Sequence, residues 1–173
     1  ENICSQQSNP KYKGYCCNCF CNLFPKDPLT LTAKLNKKEL EVKKFINNTY
    51  GNIFTHNKVL YTGHCNCSHK RRLDFHKIID GTMLVIEVDE NQHKNYNKED
   101  EEIRYNDLYM VYSGKWIYIR YNPDSYKVNG IKKNPQIKTR LKELKETIDK
   151  QLERIENNEN KELLEIHKLF YDI

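Results

Sequence analysis

Apolar positions along this 173-residue chain recur with more than one period, and each change of period marks an element. In LTAKLNKKELEVKKFINN, residues 31–48, Leu35, Leu40, Val42, Phe45 and Ile46 stand at helical spacing and predict a helix from about 36 to 48. NIFTHNKVLY, 52–61, reads as a strand. LDFHKII, then Asp80-Gly81, then TMLVIEVDE predicts two antiparallel strands joined by a tight hairpin turn. The stretch 95–112 is helical in its second half, and KWIYIRYNPDSY supplies a last strand ended by Asn-Pro-Asp turn chemistry. The expected order is helix, three strands, helix, strand.

Beyond 135, Ile137, Leu141, Leu144, Ile148, Leu152 and Ile155 recur at steps of three and four, one apolar stripe on a long amphipathic helix. After NNEN at 157–160, Leu163, Leu164, Ile166, Leu169 and Phe170 read as a second, shorter helix. The stripe has two readings: packing on the sheet, or self-association into a homodimer through the C-terminal helices. It spans fewer heptads than a coiled coil needs. Residues 1–28 show neither period and carry five of the seven cysteines, which marks a small cysteine-rich lobe. The predicted organisation is a lobe at 1–30, an α/β core with a mixed sheet flanked by helices at 31–130, and a helical extension at 131–173.

Composition narrows the classes. A hydrophobic fraction of 38% with twelve tyrosines supplies a core despite 31% charged residues, so a globular chain is expected. The formal charge of +5 is uneven: HKRR at 69–72 and IKK at 131–133 are basic, KEDEE at 98–102 acidic. A basic cluster beside acids suits a site that handles phosphates through a metal. No apolar run is long enough for a membrane span and no signal-peptide pattern occurs, so an intracellular protein (cytoplasm, nucleus or viral factory) with no membrane partner is expected. The abundance of Asn, Lys, Ile and Tyr fits an A/T-rich genome such as that of a large DNA virus or its host.

The chemistry concentrates in VIEVDENQH, 85–93. Strand side chains alternate, so Val85, Glu87 and Asp89 point one way and Leu84, Ile86 and Val88 the other. Alternation alone explains two acids on one face of a half-covered strand. It does not explain Asp74, which the Asp80-Gly81 turn brings opposite Glu87. Carboxylates held that close repel unless a proton or cation intervenes, and hard cations such as Mg²⁺ take one or two such ligands. His93, four residues past Asp89, is suited to proton transfer near neutral pH.

Asp74, VIEVDENQH, Arg104 in DEEIR and the strand WIYIRYNPDSY together resemble the core of the PD-(D/E)XK nuclease superfamily. The resemblance is greatest to the branch holding very-short-patch-repair-like nicking enzymes, related homing endonucleases and virus-encoded endonuclease-like proteins with an E-V-D-E-x-Q-H motif. It covers roughly 36–126. It implies a central mixed sheet flanked by helices with a metal-dependent site at one sheet edge, Asp74 and Glu87 as ligands of Mg²⁺ or Mn²⁺, and DNA as substrate. It places Asp89 where many relatives carry lysine, and passes the proton-transfer role to His93. It also implies a glutamate from the first helix, best matched by Glu39 with Glu41 as the alternative. These two lie about 200° apart on a helix, so one of them faces the site. Lys70, Arg71, Arg72 and Arg104 are the candidate phosphate contacts, with pairing of the arginines to helix acids as the plainer alternative.

Seven cysteines without a secretory signal argue against a disulfide framework. Cys16 and Cys19 form a C-x₂-C pair and Cys65 and Cys67 a C-x-C pair, which together could close a structural Zn²⁺ site. Cys4 with Cys16 and Cys19 and a further ligand is the other arrangement, and reduced thiols without metal the plain one. The sequence therefore points to a Mg²⁺-dependent DNA endonuclease. The competing expectation is a nucleic-acid-binding module that keeps the fold and zinc lobe without cleaving.

Overall fold

The computed structural model describes residues 9–32, 37–60, 71–93 and 97–173. They divide into two compact units, 1–41 and 42–173.

In the first unit, the segment expected to lack periodic structure forms two short helices, α1 (Cys17–Leu23) and α2 (Pro28–Thr32). Each carries a local capping signal. The Cys16 Sγ accepts from the Cys19 amide at 3.3 Å, and Asp27 Oδ1 accepts from the Leu29 amide at 2.9 Å, satisfying donors that a helix start leaves open. The helices are too short to show a period. Their core is aromatic, with Phe20 buried and its ring 5.3 Å from Tyr12 and 5.0 Å from Phe24.

Helix α3 (Lys37–Tyr50) begins at the end of the first unit and is followed by β1 (Thr55–Val59), β2 (Arg72–Ile79) and β3 (Thr82–Val88). The turn between β2 and β3 puts Asp80 and Gly81 at φ of 43° and 73°, both left-handed, as a two-residue hairpin requires. Helix α4 (Lys98–Val111) then carries the chain to β4 (Lys115–Tyr121), which pairs parallel with β3. The expected order through β4 is the observed one.

After β4 the structure departs from expectation. A small hairpin of β5 (Tyr126–Val128) and β6 (Ile131–Lys133) turns at Asn129-Gly130, again with two positive φ values. Helix α5 (Ile137–Glu156) matches the predicted long helix. The second helix does not exist: its residues form β7 (Leu164–Leu169), parallel to β4. The steps between its apolar residues suit either period, and pairing with a strand more than forty residues earlier decides for the strand. The segment 131–173 is thus no separate extension, because β7 completes the sheet in the order β1-β2-β3-β4-β7.

The sheet is mixed and covered on both faces. Val42 and Ile46 of α3 and Leu144, Ile148 and Ile155 of α5 pack with Phe75, Leu84, Ile86 and Ile119 on one side. Leu108 of α4 packs with Leu73, Met83, Val85, Trp116 and Tyr118 on the other. The α5 stripe is therefore spent on the sheet, which is the packing reading. Among the described residues no helix is long and apolar enough to cross a membrane.

Candidate active site

Every residue of β3 is buried, so this strand is not the half-exposed one that alternation suggested. Its position in the middle of five strands explains the difference. Glu87 and Asp89 continue the face of Met83 and Val85, and the consequence is that both acids are enclosed: Glu87 is 4% exposed and Asp89 fully buried. A buried carboxylate is tolerated only with partners.

Those partners come from α4, β4 and the chain end. Arg104 on α4 donates to Glu87 Oε1 at 2.6 Å and, through the same Nη2, to the Arg72 carbonyl at 2.9 Å. Arg120, in register with Glu87 across the parallel pair, donates its Nε to Asp89 Oδ2 at 2.5 Å and its Nη1 to the Tyr105 hydroxyl at 2.9 Å. It also pairs with Glu101, and the Tyr171 hydroxyl donates to Asp89. Asp74, half-buried on β2, accepts from the Val88 amide at 2.9 Å. The register Phe75 to Ile86 is what brings it beside Glu87. Asp74, Glu87, Asp89 and Arg120 thereby converge where β3 and β4 end, the end of a parallel sheet at which ligand sites form.

Charge is unbalanced there: four carboxylates, counting Glu101, meet the guanidiniums of Arg104 and Arg120. Burial pushes the Glu87 carboxyl well above its ordinary range, the negative charge of Asp74 adds to this, and Arg104 opposes it. The surrounding tyrosines feel the same field. Burial and then the Asp89 charge raise Tyr105 to about 12, and Tyr171 rises for the same two reasons. Burial and then Glu87 raise Tyr118. Among the described residues no three His, Cys, Asp or Glu side chains converge to hold a metal. The pair Asp74 and Glu87 nevertheless fits a hard divalent cation in its donor chemistry, since two carboxylates whose charges disfavour each other are what such an ion neutralises.

The other predicted residues are placed as follows. Glu39 stands on the first turn of α3 and Glu41 just beyond it, both within the first unit. Arg71 donates to Asp107 at 2.9 Å, and Arg72 to the Asn57 carbonyl at 3.1 Å, so both have contacts within the protein. Cys16 and Cys19 meet each other at the start of α1. The side chain of His93, and Lys70, Cys4, Cys65 and Cys67, lie outside the described residues.

Within VIEVDENQH, Asn91 and Gln92 both adopt left-handed backbone, at φ of 55° and 56°. The reversal presents the Asn91 amide to Asp124 Oδ2 at 2.9 Å. It also lets the Gln92 side chain clasp Asp172, giving its Nε2 to Oδ1 at 2.8 Å and accepting the Asp172 amide at 2.9 Å. Sequence reasoning missed Gln92 as a clasp, and missed Tyr105 and Tyr171 altogether. Arg120 carried a usable signal, being a charged residue inside the apolar run WIYIRY. Tyr171 carried none, because its approach depends on β7. No protein-family model, curated protein or solved structure matches this chain.

Proposed function

We propose that this protein is a divalent-cation-dependent DNA endonuclease of the PD-(D/E)XK type, hydrolysing phosphodiester bonds. The observation that carries the reading is the juxtaposition of Asp74 and Glu87 across a hairpin, with the Glu87 proton affinity raised by burial and by Asp74. A mixed sheet flanked by helices, with these acids on adjacent strands, supports the resemblance.

In this reading Asp74 and Glu87 hold Mg²⁺ or Mn²⁺, which when bound supplies water activation and stabilises charge at phosphorus. Arg104 fixes the Glu87 carboxylate and keeps positive charge beside it. Asp89 does not replace the lysine that many relatives carry. It is committed to Arg120 and Tyr171, and its part is to position Arg120 under the site. His93 moves a proton, and Glu39 assists from α3. Cys16, Cys19, Cys65 and Cys67 hold a structural Zn²⁺, and Lys70 and its neighbours contact DNA backbone.

The purified chain should nick or cut DNA with Mg²⁺ or Mn²⁺ and stop with chelator. Asp74→Ala and Glu87→Gln should each lower the rate at least about 100-fold, since losing even a group that only supports a metal ligand costs about 10- to 100-fold. Full activity in folded forms of both variants would refute the assignment. A second reading, a DNA-binding module without cleavage, is favoured by the arginine partners of Glu87 and Asp89, which neutralise these acids from within the protein. Calorimetric titration with Mg²⁺ separates the two, since heat of binding that disappears in Asp74→Ala is expected of the enzyme and no heat of the module.

A further inference from the structure

The sheet ends at β7, and among the described residues no strand pairs with its outer side. The Trp116 amide donates to the Leu163 carbonyl at 2.8 Å and the Asn122 amide to the Leu169 carbonyl at 3.1 Å, so the odd-numbered residues turn their backbone groups to β4. Alternation points the N–H and C=O of Leu164, Ile166 and Lys168 the other way, along the outer edge. Edge strands are commonly blunted by a kink, a bulge or a proline. At the opposite edge β1 is kinked, its ladder passing from His56 to Lys58 across a left-handed Asn57 at φ of 45°. In β7 all six residues pair regularly with β4, and the stretch LEIHKL holds neither a proline nor a left-handed residue. Leu164 and Ile166 stay 45% and 40% exposed on the α4 side of the sheet, in register with Trp116 and Tyr118. A cleft of about 620 Å³ also runs beside this edge, lined without a gap by Glu165 through Leu169 and walled by Lys150 and Arg154 of α5. Consecutive strand residues face opposite sides, so a cleft touching all of them follows the edge.

We infer that β7 pairs antiparallel with β7 of a second copy of this chain, about a two-fold axis at Ile166, so that two sheets become one. The inference stands apart from the nuclease reading. A two-fold axis normal to the sheet keeps each face continuous, so residues brought opposite one another must come from the same face. Centring the axis on Glu165 sets two carboxylates opposite each other, and centring it on His167 sets imidazole against imidazole and Ile166 against lysine. Centring it on Ile166 engages every outward-facing residue: Leu164, Ile166 and Lys168 each give one donor and one acceptor, about six hydrogen bonds in all. Ile166 then meets its counterpart on the exposed apolar side, and Leu164 lies under the methylene stem of the partner's Lys168. On the α5 side, Glu165, held by Arg154 at 2.7 and 3.1 Å, comes opposite the partner's His167, an acid facing a base. The strand thus presents the complement that its own edge requires, in backbone pattern, apolar contact and charge. The contact is one strand wide, at the small end of specific interfaces, which places the association in the micromolar range.

The test is sedimentation velocity on the full chain from about 1 to about 200 µM, a range that brackets so small an interface. The mass should rise from that of one chain to that of two. Ile166→Lys sets two ammonium groups against each other at the axis and should weaken dimerisation at least about tenfold. Ile166→Pro should do the same by removing an outward N–H that β4 does not use. Both are compared with Ile131→Lys, which alters an exposed isoleucine on the β5–β6 hairpin and should leave the association unchanged. Unaltered circular dichroism shows that the fold is kept, and the lysine variant decides the matter if the proline variant unfolds. Residue-resolved amide exchange on the unaltered chain gives the register: the amides of Leu164, Ile166 and Lys168 should gain protection between the dilute and the concentrated end. One-chain mass throughout, which leaves the edge to a strand of another protein, overturns the inference. So does a dimer of unchanged strength in Ile166→Lys, equal weakening in Ile131→Lys, or a dimer without added protection at those amides.

Discussion

Asp89 has no contact with water, and its stability depends on Arg120 and Tyr171. Breaking a buried ion pair from one side leaves the other charge uncompensated, which costs more than the pair contributes. Arg120→Ala should therefore destabilise the fold by about 3–5 kcal/mol, while Asp89→Leu/Arg120→Met, which removes both charges, should cost clearly less. Urea unfolding of the three proteins measures the difference, and a double variant as weak as the single would contradict it. Glu165 offers a test of a different kind, because its folded pKa is lowered, first by the hydrogen bonds from Arg154. The sign follows from linkage: a lowered carboxyl pKa contributes stability above the unfolded value of about 4.3, and this is lost as pH falls through the folded value. Wild type should exceed Glu165→Gln by about 1 kcal/mol at neutral pH, with the gap closing only below about pH 4. A gap independent of pH would mean that packing, and not the ion pair, is responsible.

Elements held by local chemistry were legible, and those held by distant pairing were not. The Asp80-Gly81 hairpin is of the first kind, since two left-handed residues dictate the turn and the turn dictates the register that joins Asp74 to Glu87. Gly81 has open space where a Cβ would be, so Gly81→Ala should cost only the backbone strain of a φ of 73°, about 1 kcal/mol. Thermal unfolding reads this directly, and a loss of several kcal/mol would show a tighter site than the geometry describes. The Asn129-Gly130 turn carried the same signal, flanked by strands too short to show alternation. Strand β3 looked half-exposed because its two acids mimic alternation. Burial on both faces is a property of its place in the sheet, which no local pattern states. Strand β7 was read as helix for a related reason. Its apolar residues fit both periods, and only the left-handed Asn158 that ends α5, followed by pairing with β4, makes it a strand. Tyr171 and the Gln92–Asp172 clasp were unreadable as a direct result.

At the scale of the whole molecule, the described members of both hydrophobic clusters all fall within residues 42–170, which makes the chain's two ends unequal in weight. Removing everything before Lys37 takes away no described member of either cluster. Stopping after Glu156 removes far more: Phe170 from the core, all pairing with β4, the Asn160 amide on Thr82, the Phe170 carbonyl that Asn122 donates to at 2.7 Å, and Tyr171 from Asp89. Burying Phe170 alone stabilises by about 2 kcal/mol, and each lost hydrogen bond adds about 1 kcal/mol, more where a buried group is left without a partner. The sum is comparable with the roughly 5–15 kcal/mol by which domains are stable at all. The single tryptophan, Trp116, is 2% exposed in β4 beside β7 and reports on this directly. A chain starting at Lys37 should keep blue-shifted tryptophan emission and a cooperative urea transition. A chain ending at Glu156 should show red-shifted emission and no cooperative transition. A cooperative transition in the latter would mean that the chain through α5 folds unaided and that β7 is an attachment to a finished core.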